Sequence, residues 1–121
     1  MTRRILIVDG SRAVRKMLQL TLRNENFEVT IAASSNQALA KLGRQHYDLV
    51  CTSMMLPDES GIAFIAAARR RPGYRFTPIL LVTGNDINAT ELEPELGITG
   101  IIQKSEGIPA LASHLRIALD K

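Results

Sequence analysis

Five short apolar runs alternate along the chain with longer stretches in which apolar residues recur at three- and four-residue spacing. Arg4 to Val8, RILIV, has the length and β-branched content of a buried strand and stops at Asp9-Gly10-Ser11. Ser11 suits a helix N-cap, and Val14, Met17, Leu18 and Leu22 then keep helical spacing to about Asn24, leaving Arg12, Arg15, Lys16 and Arg23 for the wet face. Phe27 to Ala32 predicts a second strand, and Ser34 or Ser35 caps a second helix that carries Ala38, Leu39 and Leu42 and ends near Gly43. Leu49 to Thr52 predicts a third strand with Ser53 at its end, before a loop containing Pro57. Ser60-Gly61 opens a third helix with Ile62, Phe64, Ile65 and Ala68 inward, stopped by Pro72-Gly73, and Pro78 to Thr83, PILLVT, is the most apolar strand. From Gly84 to Gly97 the pattern weakens, because Asn85, Asp86 and Asn88 favour turns and Pro94 interrupts a helix. A short or irregular fourth helix is expected there. Thr99 to Gln103 predicts a fifth strand ending at Lys104, and Pro109 stands near the start of a last helix with Leu111, Leu115 and Leu119 on one face.

Regular strand and helix alternation with short connections implies right-handed crossovers, hence an α/β, doubly wound fold with a parallel sheet and helices on both faces. In such sheets ligands sit beyond the carboxyl ends of the strands. Asp9, Ser53, Thr83 and Lys104 end strands one, three, four and five, so a carboxylate, two hydroxyls and an ammonium are expected to converge on one edge.

Composition narrows the class. A chain of 121 residues with 45% hydrophobic and 22% charged residues suits one domain spanning 1–121. No apolar run approaches the roughly 18 residues of a membrane span, and the apolar segment after Met1-Thr2-Arg3-Arg4 stops at Asp9, too soon for a signal peptide core. A cytoplasmic location with no membrane contact is expected. The single cysteine, Cys51, lies inside a strand and reads as a buried core thiol. The net charge of +3 is partly gathered in Arg69, Arg70, Arg71 and Arg75. Those arginines fit either a phosphate-contacting cluster or a solvated helix end that complements the helix dipole. There is no repeat, low-complexity segment or linker.

The segments ILIVDGSRAVRKML, YDLVCTSMMLPDESGIAFI, PILLVTGN and GITGIIQK agree in order and spacing, over nearly the whole chain, with a family pattern. The sequence resembles the CheY-like receiver domains of response regulators, the phosphoacceptor modules of two-component signalling and phosphorelays. The resemblance implies a flavodoxin-like (βα)5 fold, strand order 2-1-3-4-5. It also implies a site in which two adjacent acids after the first strand and an aspartate after the third bind Mg²⁺, the last taking phosphate from a histidine kinase. A hydroxyl after strand four and a lysine after strand five contact the phosphoryl group. Carried over by position, Asp9 matches the first acid, Gly10 replaces the second, and Ser53, four residues before Pro57, stands at the acceptor. Thr83 and Lys104 keep their roles, Ile101 replaces the switch aromatic, and Ser105 replaces the usual proline.

These departures have physical consequences. Mg²⁺ takes near-octahedral oxygen ligands, so Asp9 alone is a poor cage and Mg²⁺ binding is expected to be lost or weak, leaving no cofactor. A serine hydroxyl needs an adjacent base to act as a nucleophile. His46 precedes strand three and His114 lies in the last helix, while Asp48, five residues before Ser53, is roughly 16 Å away at strand rise. Asp58, Glu59 and Asp86 lie in loops and are the remaining surrogates. With two of three acids missing, Lys104 is expected to pair with Asp9 or the Ser53 hydroxyl, fixing one conformation without metal or phosphate.

The expectation is a pseudo-receiver that is not an enzyme and acts by protein–protein interaction. The family surface is formed by helix four, strand five and helix five, here with Ile98, Ile101, Ile108, His114 and Ile117, and its partner is an output domain, a histidine kinase or a second copy. Helix one, with its basic residues, is a second candidate for acidic partners. The alternatives are modification of Ser53 itself, a surrogate loop acid, a small phosphatase of the haloacid dehalogenase type, and a nucleic-acid binder. The phosphatase nucleophile would fall on Ile7, which cannot react, and an aromatic content of 4% with no phosphate-binding glycine motif argues against nucleic acid. Whether the chain stands alone or opens a longer protein is left undecided.

Overall fold

The computed structural model describes residues 2–22, 27–84 and 96–119. Its elements are β1 (Arg3–Val8), α1 (Arg12–Leu22), β2 (Phe27–Ala32), α2 (Ser35–Leu42), β3 (Leu49–Ser53), α3 (Gly61–Arg69), β4 (Ile79–Thr83), β5 (Gly100–Gln103), a 3-10 turn (Lys104–Glu106) and α4 (Ile108–Leu119). The helix expected within Gly84 to Gly97 falls largely outside the described residues, so α4 is the last predicted helix. All strands pair in parallel in the order β2-β1-β3-β4-β5. No helix among the described residues is long and apolar enough to cross a membrane.

Strand residues alternate between faces, and the two faces build two cores. Ile5, Ile7, Leu49, Cys51, Leu80 and Val82 meet Leu18 and Leu22 of α1 and Leu111, Leu115 and Leu119 of α4. Leu6, Val8, Val50, Ile79 and Leu81 meet Ala38 and Leu42 of α2 and Phe64, Ile65 and Ala68 of α3. Every residue of β3 and β4 is buried, which explains their unbroken apolar runs. Each such buried Leu or Ile contributes roughly 1.5–3 kcal/mol of transfer free energy.

Serines start the first three helices. The hydroxyl oxygens of Ser11, Ser34 and Ser60 accept from the backbone N–H groups of Val14 (3.3 Å), Gln37 (3.2 Å) and Ala63 (3.1 Å). Two expectations need correction. Met17 keeps helical spacing but is 51% exposed, because α4 covers only the Leu18 and Leu22 side of α1. Arg69 is neither a solvated helix end nor a phosphate contact. Half-buried at the end of α3, its guanidinium donates to the carbonyls of Leu96 (2.8 Å), Gly97 (2.9 Å), Tyr74 (2.7 Å) and Thr77 (2.6 Å), fastening the segment before β5 to the α3–β4 loop.

Candidate functional site

The sheet register brings the strand-end residues together. Val8 lies opposite Thr52, Ser53 opposite Val82, and Thr83 opposite Gln103, so Asp9, Ser53, Thr83 and Lys104 share the carboxyl edge of β1, β3, β4 and β5. Asp9, Ser53 and Thr83 are buried, whereas Lys104, on the 3-10 turn, keeps its side chain partly in water.

Asp9 is held at every polar atom that faces the protein. Its N–H donates to the Ala32 carbonyl (3.1 Å), and its own carbonyl accepts from Nη1 of Arg15 (2.7 Å). Oδ1 accepts from the Ser11 N–H at 2.8 Å, and Oδ2 lies 3.5 Å from Lys104 Nζ. Lys104 thus reaches Asp9, the first of its two expected partners. Arg15, placed on the wet face by periodicity, instead reaches over the start of α1 to the strand end. The Cys51 thiol beneath is pushed up to about 12, first by burial and then by the Asp9 charge, against the opposing pull of Lys104. It stays protonated and inert near neutral pH.

The loop after Ser53 folds back on itself. Met54 N–H donates to Val82 (2.7 Å), Gly61 N–H to Met54 (2.7 Å) and Leu56 N–H to Glu59 (3.1 Å). Gly10 packs its α-carbon side toward Pro57, and a β-carbon added there would lie 3.3 Å from Pro57 Cδ. Ile101, at the switch-aromatic position, is half-buried against the α2 and α3 core.

The surrogate acids are engaged elsewhere. Asp58 turns to the start of α2, where Oδ1 and Oδ2 accept from the N–H groups of Ser35 and Asn36, each at 2.9 Å, and Glu59 Oε2 accepts from the Ser35 hydroxyl at 3.2 Å. Asp58 therefore serves as a capping group supplied from another loop, favoured by the helix dipole. Asp86 lies outside the described residues. Asp48 accepts from the Arg4 N–H (2.8 Å) at the far end of the sheet, and His46 and His114 face Asp48 (3.9 Å) and Glu106 (3.6 Å) with their side chains partly in water. Among the described residues, no three His, Cys, Asp or Glu side chains gather where a metal ion would bind.

The cap has a pH signature. Backbone N–H donation, from Asn36 first and Ser35 next, holds the Asp58 carboxyl below its ordinary 3.8. A carboxyl depressed in the folded state stabilises the fold above its unfolded value and loses that contribution as pH falls through the folded value. Asp58→Asn should therefore melt earlier than the native chain at neutral pH, and the gap should close as pH drops below 3.8. Thermal melts across that range check it, and a gap of constant size would show that charge plays no part in the cap.

The comparisons agree with this architecture. Residues 5–116 match the model of the response regulator receiver domain. The chain is 32% identical over 99 residues to the regulatory protein VanR of Enterococcus faecium, covering 82% of this chain and 40% of VanR. It is 31% identical over 120 residues to the DNA-binding response regulator MtrA of Mycolicibacterium paratuberculosis, covering 98% of this chain and 52% of MtrA. It therefore spans about half or less of the length of these curated relatives. The solved structure of the chemotaxis response regulator CheY4 of Vibrio cholerae is 31% identical and superposes with a TM-score of 0.87 over 98% of this chain and all of CheY4. With five parallel strands in the receiver order and the match running through nearly every element, this chain belongs to the response regulator receiver domain family of two-component signalling.

Proposed function

We propose that this receiver does not pass through the phosphorylation cycle and works as a fixed protein-interaction module, with no catalytic turnover, in the cytoplasm. The observation that carries the reading is the occupancy of Asp9. One carboxylate oxygen accepts from Ser11 N–H and the other faces Lys104, so the ammonium already balances the Asp9 carboxylate. Mg²⁺ does not fit this donor set. It requires near-octahedral oxygen ligation from one or two carboxylates plus water, and the neighbouring positions supply Gly10 and the unionised hydroxyl of Ser53. No base faces that hydroxyl from the surrogate loop, because Asp58 and Glu59 are spent on α2. Modification of Ser53 by a serine kinase is disfavoured by its burial, with only 4% of the residue exposed.

The output is then a surface. The face built from the segment before β5, β5 itself and α4 carries Ile98 and Ile101 against the core and His114 and Ile117 outward, Ile117 being 58% exposed. A histidine kinase, an output domain or a second copy of the chain is the class of partner proposed for it. Amide NMR spectra recorded with and without Mg²⁺ and a beryllofluoride phosphoryl mimic test the reading. The spectra are expected to superimpose. Mg²⁺-dependent shifts around Thr83 and Lys104 would overturn it.

A further inference from the structure

At the opposite edge of the sheet from Asp9 and Ser53, the loop that feeds β4 presents Phe76 to solvent at 87% exposure, the most exposed large apolar side chain among the described residues. A single exposed apolar residue is ordinary. The setting of this one is not. The two residues that flank the Arg75-Phe76 pair, Tyr74 and Thr77, are buried, and Arg69 Nη1 donates to both of their carbonyls. The Tyr74 hydroxyl is further fixed, accepting from Tyr47 N–H (3.0 Å) and donating to the Gln45 carbonyl (3.1 Å). The Arg75 guanidinium lies 5.4 Å from the centroid of the Phe76 ring, a cation–π distance. The loop is thus clamped at both ends while its two central side chains stand out together.

Along the chain, the charge beside this pair is of one sign, while Asp48, paired with His46, is an acid on the Tyr74 side of the loop. Arg70 and Arg71 are exposed beside the pair, and between Glu59 and Asp86 the sequence holds no acidic residue. None of the four ion pairs among the described residues involves Arg70, Arg71 or Arg75. Arginine and aromatic side chains dominate the energetics of protein interfaces, and groups already held in position lose little freedom on binding. We infer that the Arg70–Thr77 loop is a docking site for an acidic peptide segment of a partner protein that carries a large apolar residue. The acids would meet the three exposed arginines, and the apolar side chain would cover the Phe76 ring. A nucleic acid fits less well, because Tyr47, Phe64 and Tyr74 are buried and leave no platform for successive bases. This surface is remote from the edge that holds Asp9 and Ser53, so the inference stands apart from the reading proposed above.

The test uses the full chain and a fluorescein-labelled peptide of alternating Glu and Asp around a central Leu-Phe pair. Its controls are the same peptide with Leu-Phe replaced by Ser-Ser, single-stranded oligothymidylate, and phosphatidylcholine vesicles containing phosphatidylserine. The Leu-Phe peptide is expected to bind, with amide shifts confined to Arg70–Thr77, and to lose about tenfold in affinity against Phe76→Ser and against Arg75→Glu. Both positions are exposed, so the melting temperature should not change. No binding of the Leu-Phe peptide, equal binding of the Ser-Ser peptide, tighter binding of the oligonucleotide or vesicles, or unaltered binding by both variants would each overturn the inference.

Discussion

Gly61→Ala is expected to cost the domain about 3 kcal/mol or more, in the upper range for overpacked sites. A β-carbon at Gly61 would stand 2.1 Å from the Ser53 carbonyl oxygen, 3.0 Å from its carbonyl carbon and 3.1 Å from the Met54 α-carbon. All three are backbone atoms, so no rotamer change relieves the clash. Relief requires the start of α3 to move off the loop, which breaks the 2.7 Å bond from Gly61 N–H to the Met54 carbonyl and disturbs the cap from Ser60. Thermal unfolding should show a fall of roughly 12 °C, taking about 4 °C per kcal/mol at this size. Ser60→Ala, which removes only the capping oxygen, should cost about 1 kcal/mol. Gly61→Ala no worse than Ser60→Ala would mean that α3 does not press on the end of β3 as described.

The second large effect is a gain. Replacing Gly10 and Ser53 together by aspartate is expected to create Mg²⁺ binding. Three carboxylates at one strand edge repel one another and call for a cation, whereas among the described residues the native edge holds Asp9, already balanced by Lys104. The backbone can take the change. Gly10 is exposed, and its added β-carbon would meet only the Pro57 ring at 3.3 and 3.4 Å, a contact that a few tenths of an ångström relieve. Mg²⁺ at ten times its dissociation constant should stabilise the double variant by about 1.4 kcal/mol, seen as a rise of roughly 5 °C in its melt. The native chain should show no such rise. A double variant blind to Mg²⁺ would mean that the lost site depends on more than these two positions.

Much of this arrangement is legible in the sequence because it is local. Apolar runs stopped by polar residues set the strands, a serine ahead of an apolar-periodic stretch set α1, α2 and α3, and Asp9, Ser53, Thr83 and Lys104 fall at strand ends that the parallel register then aligns. The Gly10 and Ser53 replacements are visible in the spacing to Pro57 alone. What is not legible depends on distant backbone. Arg69 reaches carbonyls near Leu96, and Asp58 reaches N–H groups at Ser35, contacts between residues more than twenty apart that carry no periodic signal. Met17 shares the spacing of Leu18 and Leu22 yet is exposed, because spacing defines a helical face without saying how wide a strip the neighbouring helix covers. Periodicity places Arg15 on the wet face for the same reason, and the turn at Gly10-Ser11 brings the Asp9 carbonyl within its reach.

The proposed loss of phosphoryl transfer can be measured directly. The native chain would be incubated with acetyl phosphate and Mg²⁺, and its intact mass recorded. An unchanged mass is the expected result, with Ser53 nearly sealed, its side chain an unionised hydroxyl, and Asp58 and Glu59 engaged at the start of α2. A gain of one phosphoryl group at Ser53 or at a loop acid would contradict it.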